Sequence, residues 1–347
     1  MNQWSELAGD LVAGAELDYQ SAYRLMDQIM AGELGEIRLA SLLSLLAMRG
    51  PATDELHGLA DAMRDNARRI GLPRAAVDIV GTGGDQAHTV NISTMAAIVV
   101  AAAGYPVVKH GNRASTSASG SADVLEALGV NLQLDPEQIV DVFDRVGIAF
   151  LFANNFHPSM RYAAATRREL GFPTVFNVLG PLTNPARPQA SAIGVAKETI
   201  APLVAGVFAR RGTSAWVFRG AVRGLDEITT TEPVQVWRTV GNQVQEEVFD
   251  PAAEFGLPRA GLSDLRGGSP EHNAKVAREI LAGESSPAAD AVALNAAAGI
   301  VAARGIDSPL TGNAVEQLGS ALSQAQEVLS SGAALNLLDR WVAASRG

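Results

Sequence analysis

The 347-residue sequence contains no cysteine, so disulfides and thiolate metal sites are excluded. Histidine is scarce. The five are His57, His88, His110, His157 and His272, and no two stand four apart, so the paired helical ligands of zinc hydrolases are missing. No basic run is long enough to make a nucleic-acid patch, and 27 basic against 37 acidic side chains leave a net charge of −10. Such a chain does not attract nucleic acid or anionic membranes. The longest apolar run, residues 95–103, is far short of the ~20 residues that cross a bilayer. Residues 1–6 lack the basic and apolar regions of a signal peptide. A cytoplasmic protein without nucleic-acid or membrane partners is expected.

What is present is ordinary for a globular protein, 47% hydrophobic and 18% charged residues, and the length suggests two lobes. The first seventy-odd residues read as three helices only. One is capped by Asp18, carries Ala22, Leu25, Met26 and Ile29, and closes at Gly32. The second carries Ile37, Leu39, Leu42, Leu43, Leu45 and Leu46. The third starts near Thr53 and runs through Leu56, Leu59 and Met63. Three short helices cannot bury their apolar faces alone, so they form a lobe packed on something else. After Pro73, apolar strands at 76–80, 105–108, 149–152, around 192–195, at 215–218 and around 234–240 alternate with helices at 95–103 and Ser121–Leu128. The last third is alanine-rich helix (290–304, then 314–330). The pattern predicts an α/β fold: a small N-terminal helical lobe and a large α/β lobe with a mainly parallel central sheet. The boundaries are residues 1–73, with a returning segment at about 165–188, against 74–164 and 189–347.

Three segments carry chemistry. Gly81-Thr82-Gly83-Gly84-Asp85 follows a strand, where backbone N–H groups can meet a phosphate. By itself it reads equally well as a tight turn, and it lacks the third glycine and later acid of a dinucleotide loop. Asn91-Ile92-Ser93-Thr94 then opens an apolar helix with more polar side chains than a cap needs. Residues 109–121 gather Lys109, Arg113, Asn112 and five hydroxyls at the end of the next strand, a composition suited to phosphate oxygens. Asp226-Glu227, after another strand, reads alone as a solvated acidic turn. Beside two phosphate-binding loops it becomes a candidate Mg²⁺ site.

Together these segments resemble the anthranilate phosphoribosyltransferase family. The likeness extends through residues 120–129, Arg167-Arg168-Glu169-Leu170-Gly171, residues 176–185 and Gly224-Leu225-Asp226-Glu227. The resemblance implies the fold shared with pyrimidine nucleoside phosphorylases. It also implies a tryptophan-pathway glycosyltransferase that moves the phosphoribosyl group of 5-phosphoribosyl 1-diphosphate to anthranilate, and a homodimer formed through helical lobes. The alternatives are another aromatic amine as acceptor, or a nucleoside-phosphorylase-like reaction. By the same resemblance, Gly81, Gly84, Asp85, Thr89, Asn91, Ile92, Ser93, Thr94, Lys109, His110, Gly111, Asn112, Arg113, Thr116, Ser117 and Ser121 contact phosphoribosyl diphosphate. Gly81, His110, Asn112, Arg167 and Gly180 meet anthranilate. Ser93, Asp226 and Glu227 hold Mg²⁺, and Lys109, Asp226 and Glu227 serve catalysis. The chain departs from the family pattern at Arg219, where a histidine is usual, and at Arg223, where an acidic or small residue is usual. His88 reads equally well facing the diphosphate or solvent.

Overall fold

The computed structural model describes residues 3–114, 118–308 and 310–347. The chain forms two compact units, Met1–Arg68 with Asn154–Pro185, and Arg69–Ala153 with Ala186–Gly347.

The first unit is helical. The helix Tyr19–Ala31 starts at Asp18, whose side chain accepts the Ser21 N–H at 2.7 Å, and stops at Gly32 in the left-handed conformation. It packs on the helix Thr53–Asp65 by burying Ala22, Leu25, Met26 and Ile29 against Leu56, Leu59 and Met63. The helix Glu36–Arg49 buries Leu39, Leu42, Leu43 and Leu46. Ile37 does not join them. It sits in the first turn on the opposite face and is 85% exposed. A fourth helix, Gln3–Val12, precedes these three. Its apolar residues Trp4, Leu7, Ala8, Leu11 and Val12 stand at helical spacing, with Gly9 on the other face, a legible signal that sequence reasoning passed over. The helices Arg161–Leu170 and Phe176–Leu179 complete the unit.

The second unit is built on seven strands. They are β1 (Val77–Gly81), β2 (Val107–Gly111), β3 (Ile148–Phe152), β4 (Ala190–Gly194), β5 (Ser214–Gly220), β6 (Val234–Val240) and β7 (Gln243–Phe249). Their order is β3-β2-β1-β4-β5-β6-β7. The first five are parallel, and β6 and β7 add antiparallel pairings. β7 reads poorly in the sequence because it is an edge strand carrying Gln243, Gln245, Glu246 and Glu247, polar groups that discourage pairing with another chain. β1 and β2 end later than their apolar runs. Parallel strands covered on both faces lack alternation to mark their ends, so Lys109, His110 and Gly111 lie on β2 itself and not in the loop after it. The apolar helix Ile92–Ala102 and the alanine-rich helix Pro287–Arg304 cover the sheet. Because β2 lies on one side of β1 and β4 on the other, the order in which strands are added to the sheet reverses between β1 and β4. A crevice for ligands opens at the carboxyl ends of strands at such a point.

Candidate active site

Four neighbouring strands, β2, β1, β4 and β5, each end in glycine: Gly111, Gly81, Gly194 and Gly220. The loop 221–227 lies directly on this edge. A Cβ on Gly194 would fall 1.6 Å from the Asp226 carbonyl oxygen, and one on Gly81 would fall 2.4 Å from Asp226 Oδ2. Real Cβ atoms never come so close, so only glycine lets the acidic loop settle here. Glu232 holds the turn from the other side: its Oε2 accepts the N–H groups of Val222 at 2.9 Å and Arg223 at 2.7 Å.

Asp226 and Glu227 are buried. Asp226 Oδ2 accepts the Gly83 N–H at 2.7 Å, and its own N–H makes a long 3.5 Å contact with Asp85 Oδ2. The Ser93 backbone N–H, at the start of the helix Ile92–Ala102, favours the charged form of Glu227. Burial first, and then the adjacent Asp85, push the Asp226 carboxyl up to about 7. Burial, then Asp226, raises that of Glu227 well above the usual range. Lys109 is buried among them. Its Nζ donates to the Ile79 carbonyl and to Ser93 Oγ at 3.2 Å. Burial lowers it to about 8 against the opposing pull of Asp78 and Glu227. Asp78, buried on β1, also accepts the His110 N–H at 3.1 Å and so fixes β2 beside it.

This cluster suits a hard cation. Two adjacent carboxylates, a third at Asp85 and the Ser93 hydroxyl offer oxygen donors only, and the mutual repulsion that raises the carboxyl pKa values is what a divalent ion relieves. Among the described residues no set of three His, Asp or Glu side chains converges as a complete cage. Mg²⁺ takes one or two protein carboxylates together with water and substrate phosphate, and Asp226 and Glu227 are of that kind and number.

The glycine-rich loop after β1 places Gly83 and Gly84 in the left-handed region, and Gln86 and His88 share it at φ 59° and 51°. His88 faces solvent. The loop is held by the Gly267 N–H to His88 carbonyl bond at 2.8 Å and by an antiparallel bridge between Thr89 and Arg266. Asn91 does not cap its helix. Its Nδ2 donates to the Ser119 carbonyl at 3.0 Å, and its Oδ1 accepts from Asn273 Nδ2 at 2.8 Å. Asn91 thus ties the glycine-rich loop to the serine-rich loop, and Asn273, which sequence reasoning passed over, orients it. Ile92 and Thr94 point their side chains into the core. Only Ser93 of that segment offers its hydroxyl to the cluster.

In the loop after β2, Arg113 is drawn to the helix Ser121–Leu128, pairing with Asp123 at 2.9 Å and with both oxygens of Glu126 at 2.6 and 3.0 Å. Asp123 Oδ2 also accepts the N–H groups of Ala114 at 3.0 Å and Gly120 at 2.9 Å, closing the two ends of the loop. Burial opposes the Asp123 charge, but these N–H groups and Arg113 outweigh it and keep its carboxyl below the usual range. Asn112 lends its carbonyl to the Ala122 N–H at 3.2 Å. Thr116 and Ser117 lie outside the described residues. Asp123→Ala removes the acceptor of two N–H groups at a helix start and is expected to lower stability by about 1–2 kcal/mol, read by denaturant unfolding. An unchanged midpoint would mean the loop ends are held by other contacts.

Arg167 and Gly180 belong to the helical unit. The Arg167 guanidinium lies 5.1 Å over the Phe176 ring, burial lowers its pKa, and among the described residues no ion pair joins it to Glu169. A Cβ on Gly180 would meet nothing within 4 Å. The two unusual arginines part company. Arg223 is exposed, while Arg219 is buried beneath Gly224, with Gln235 at 3.4 Å and Glu198 at 3.9 Å.

A helical unit and an α/β unit with a phosphate-type cradle in one chain define a class, and family models agree with it. The model described as "Glycosyl transferase family, helical bundle domain" matches residues 5–67, and that described as "Glycosyl transferase family, a/b domain" matches residues 73–335. Anthranilate phosphoribosyltransferase of Arthrobacter sp. is 51% identical over 346 residues, covering 100% of this chain and 97% of its own. The crystal structure of the Thermus thermophilus enzyme superposes with a TM-score of 0.89 at 43% identity, over 98% of this chain and 99% of that one. The Saccharomyces cerevisiae enzyme in complex with PRPP and Mg gives 0.86 at 26% identity, over 99% and 98%. The chain belongs to the anthranilate phosphoribosyltransferase family.

Proposed function

We propose that the protein transfers the 5-phosphoribosyl group of 5-phosphoribosyl 1-diphosphate to the amine of anthranilate and releases diphosphate. The observation that carries this is the acidic pair seated on the glycine edge beside Lys109, Ser93 and the glycine-rich loop. In the reaction the bond from C1′ to the diphosphate oxygen breaks with its electron pair leaving on diphosphate. The lone pair of the aromatic amine, uncharged at neutral pH, forms the new bond to C1′, and the amine then loses a proton. Asp226, Glu227 and Ser93 would hold Mg²⁺, which supplies charge stabilisation to the departing diphosphate. Lys109 adds a fixed positive charge in a buried setting, where it acts strongly. The N–H groups of Gly84 and Asp85 in the glycine-rich loop support the substrate phosphates. Arg167 supports the anthranilate carboxylate, its planar fork matching two oxygens, with His110, Asn112 and Gly180 completing the acceptor's surroundings. Positioning of the two reactants provides the rest, with no covalent intermediate.

A homodimer joined through the helical units accords with the exposed apolar side chains Val12, Ile37 and Met48, and sedimentation would reveal it. A cytoplasmic location accords with the absence, among the described residues, of any helix long and apolar enough to cross a membrane.

The assay is direct. Protein mixed with Mg²⁺, phosphoribosyl diphosphate and anthranilate is expected to quench anthranilate fluorescence, and chelation of Mg²⁺ is expected to stop it. Turnover of another aromatic amine with none of anthranilate would overturn the acceptor assignment.

A further inference from the structure

We infer that Asn295 is a positioning residue for Asp226 and Glu227, an inference that rests on the functional reading above. From Ala291 to Ala303 the helix Pro287–Arg304 is wholly buried and apolar except at Asn295, which has no exposed surface. A primary amide so placed is tolerated only when its polar atoms find partners. Asn295 Nδ2 donates to the Ala291 carbonyl at 2.8 Å and to the Ile228 carbonyl at 2.8 Å, while its Oδ1 accepts the Ile228 N–H at 3.2 Å. The side chain thus engages both backbone groups of one residue, as a neighbouring strand would.

That residue directly follows Glu227 and is itself fully buried. Glu232 pins the loop ahead of the acidic pair at Val222 and Arg223, and Asn295 pins it immediately behind. Between these points the two carboxylates have little freedom, and the glycine edge beneath them allows one resting place. An apolar residue at 295 would suit the helix better by composition. The amide therefore serves the loop and not the helix. A group that orients ligands from behind influences ion affinity by about 10–100-fold in other sites.

Asn295→Leu and the smaller Asn295→Ala test this, with Val301→Ala, further along the same helix, as a matched core destabilisation. In both Asn295 variants the Mg²⁺ concentration for half-maximal rate and the KM for phosphoribosyl diphosphate are expected to rise about tenfold, with the KM for anthranilate unchanged. Val301→Ala is expected to lower the melting temperature and leave all three constants alone. Hydrogen exchange provides the readout that needs no turnover. The Ile228 amide should exchange only on global unfolding in wild type and by local opening in the Asn295 variants. Variants that behave like Val301→Ala in their constants and exchange would overturn the inference. So would a wild-type Ile228 amide that exchanges as fast as an exposed loop, even if neither variant folds. Calorimetric binding of Mg²⁺ and phosphoribosyl diphosphate needs no acceptor, so a wrong acceptor leaves this test intact. Wild type that binds neither would sink the functional reading, while exchange at Ile228 would still judge the clamp.

Discussion

Asp226→Asn and Glu227→Gln should each lower kcat about a thousandfold, roughly 4 kcal/mol of lost transition-state stabilisation, while the protein folds as before. The two expectations have one origin. Both carboxylates are buried beside one another with Asp85 close by, so each charge is held at a disadvantage in the metal-free protein. A carboxyl whose folded pKa lies above its unfolded value withdraws stability as pH rises. For Asp226 that window runs from the ordinary carboxylate range up through about 7. Above it the metal-free amide variant should melt no lower than wild type, and addition of Mg²⁺ should raise the melting temperature of wild type more than that of the variant. Steady-state kinetics and thermal unfolding at pH 8, with and without chelator, measure all of this. A variant that keeps full turnover would remove the acidic pair from the mechanism. One that simply unfolds would make the pair a structural feature.

Gly194→Ala should be nearly as damaging to activity and far worse for stability. Its Cβ would meet the Asp226 carbonyl oxygen at 1.6 Å and carbonyl carbon at 2.5 Å. These are backbone atoms, so no rotamer relieves the clash and either β4 or the acidic loop must move. Forcing extra volume into a packed site typically costs about 1–3 kcal/mol, and a backbone clash lies at or beyond the upper end. Gly71→Ala is the comparison, since a Cβ there meets nothing within 4 Å, and it should leave both stability and turnover unchanged. Denaturant unfolding and the fluorescence assay separate the two. A Gly194→Ala protein with wild-type stability and rate would mean that the acidic loop is free to lie elsewhere.

Much of this protein is legible in its sequence. The helix from Tyr19 announces itself through Asp18 and Gly32, and the helix Ser121–Leu128 through its apolar spacing and Gly129. Alternating helices and apolar strands announce the α/β unit. Asp226 and Glu227 were visible as a pair, and Gly81 and Gly111 as parts of loops. Gly194 was not, because a lone glycine between Ile193 and Val195 looks like a strand interior. Asn295 looked like one polar residue in an alanine helix, and Asn273 like one in an amphipathic helix. The composition of its loop suits Arg113 to phosphate oxygens, and only the fold shows that it pairs with Asp123 and Glu126.

What the sequence determined by itself is local: turn glycines, helix caps, apolar periods, and the kinds of donor gathered in each loop, all set by interactions within a few residues. What only the tertiary structure decided is which of those donors meet. Asp226 reaches Gly83 across 143 positions, and Asn295 reaches Ile228 across 67. Such pairings depend on strand order and on how closely one backbone can approach another, and no spacing along the chain encodes either.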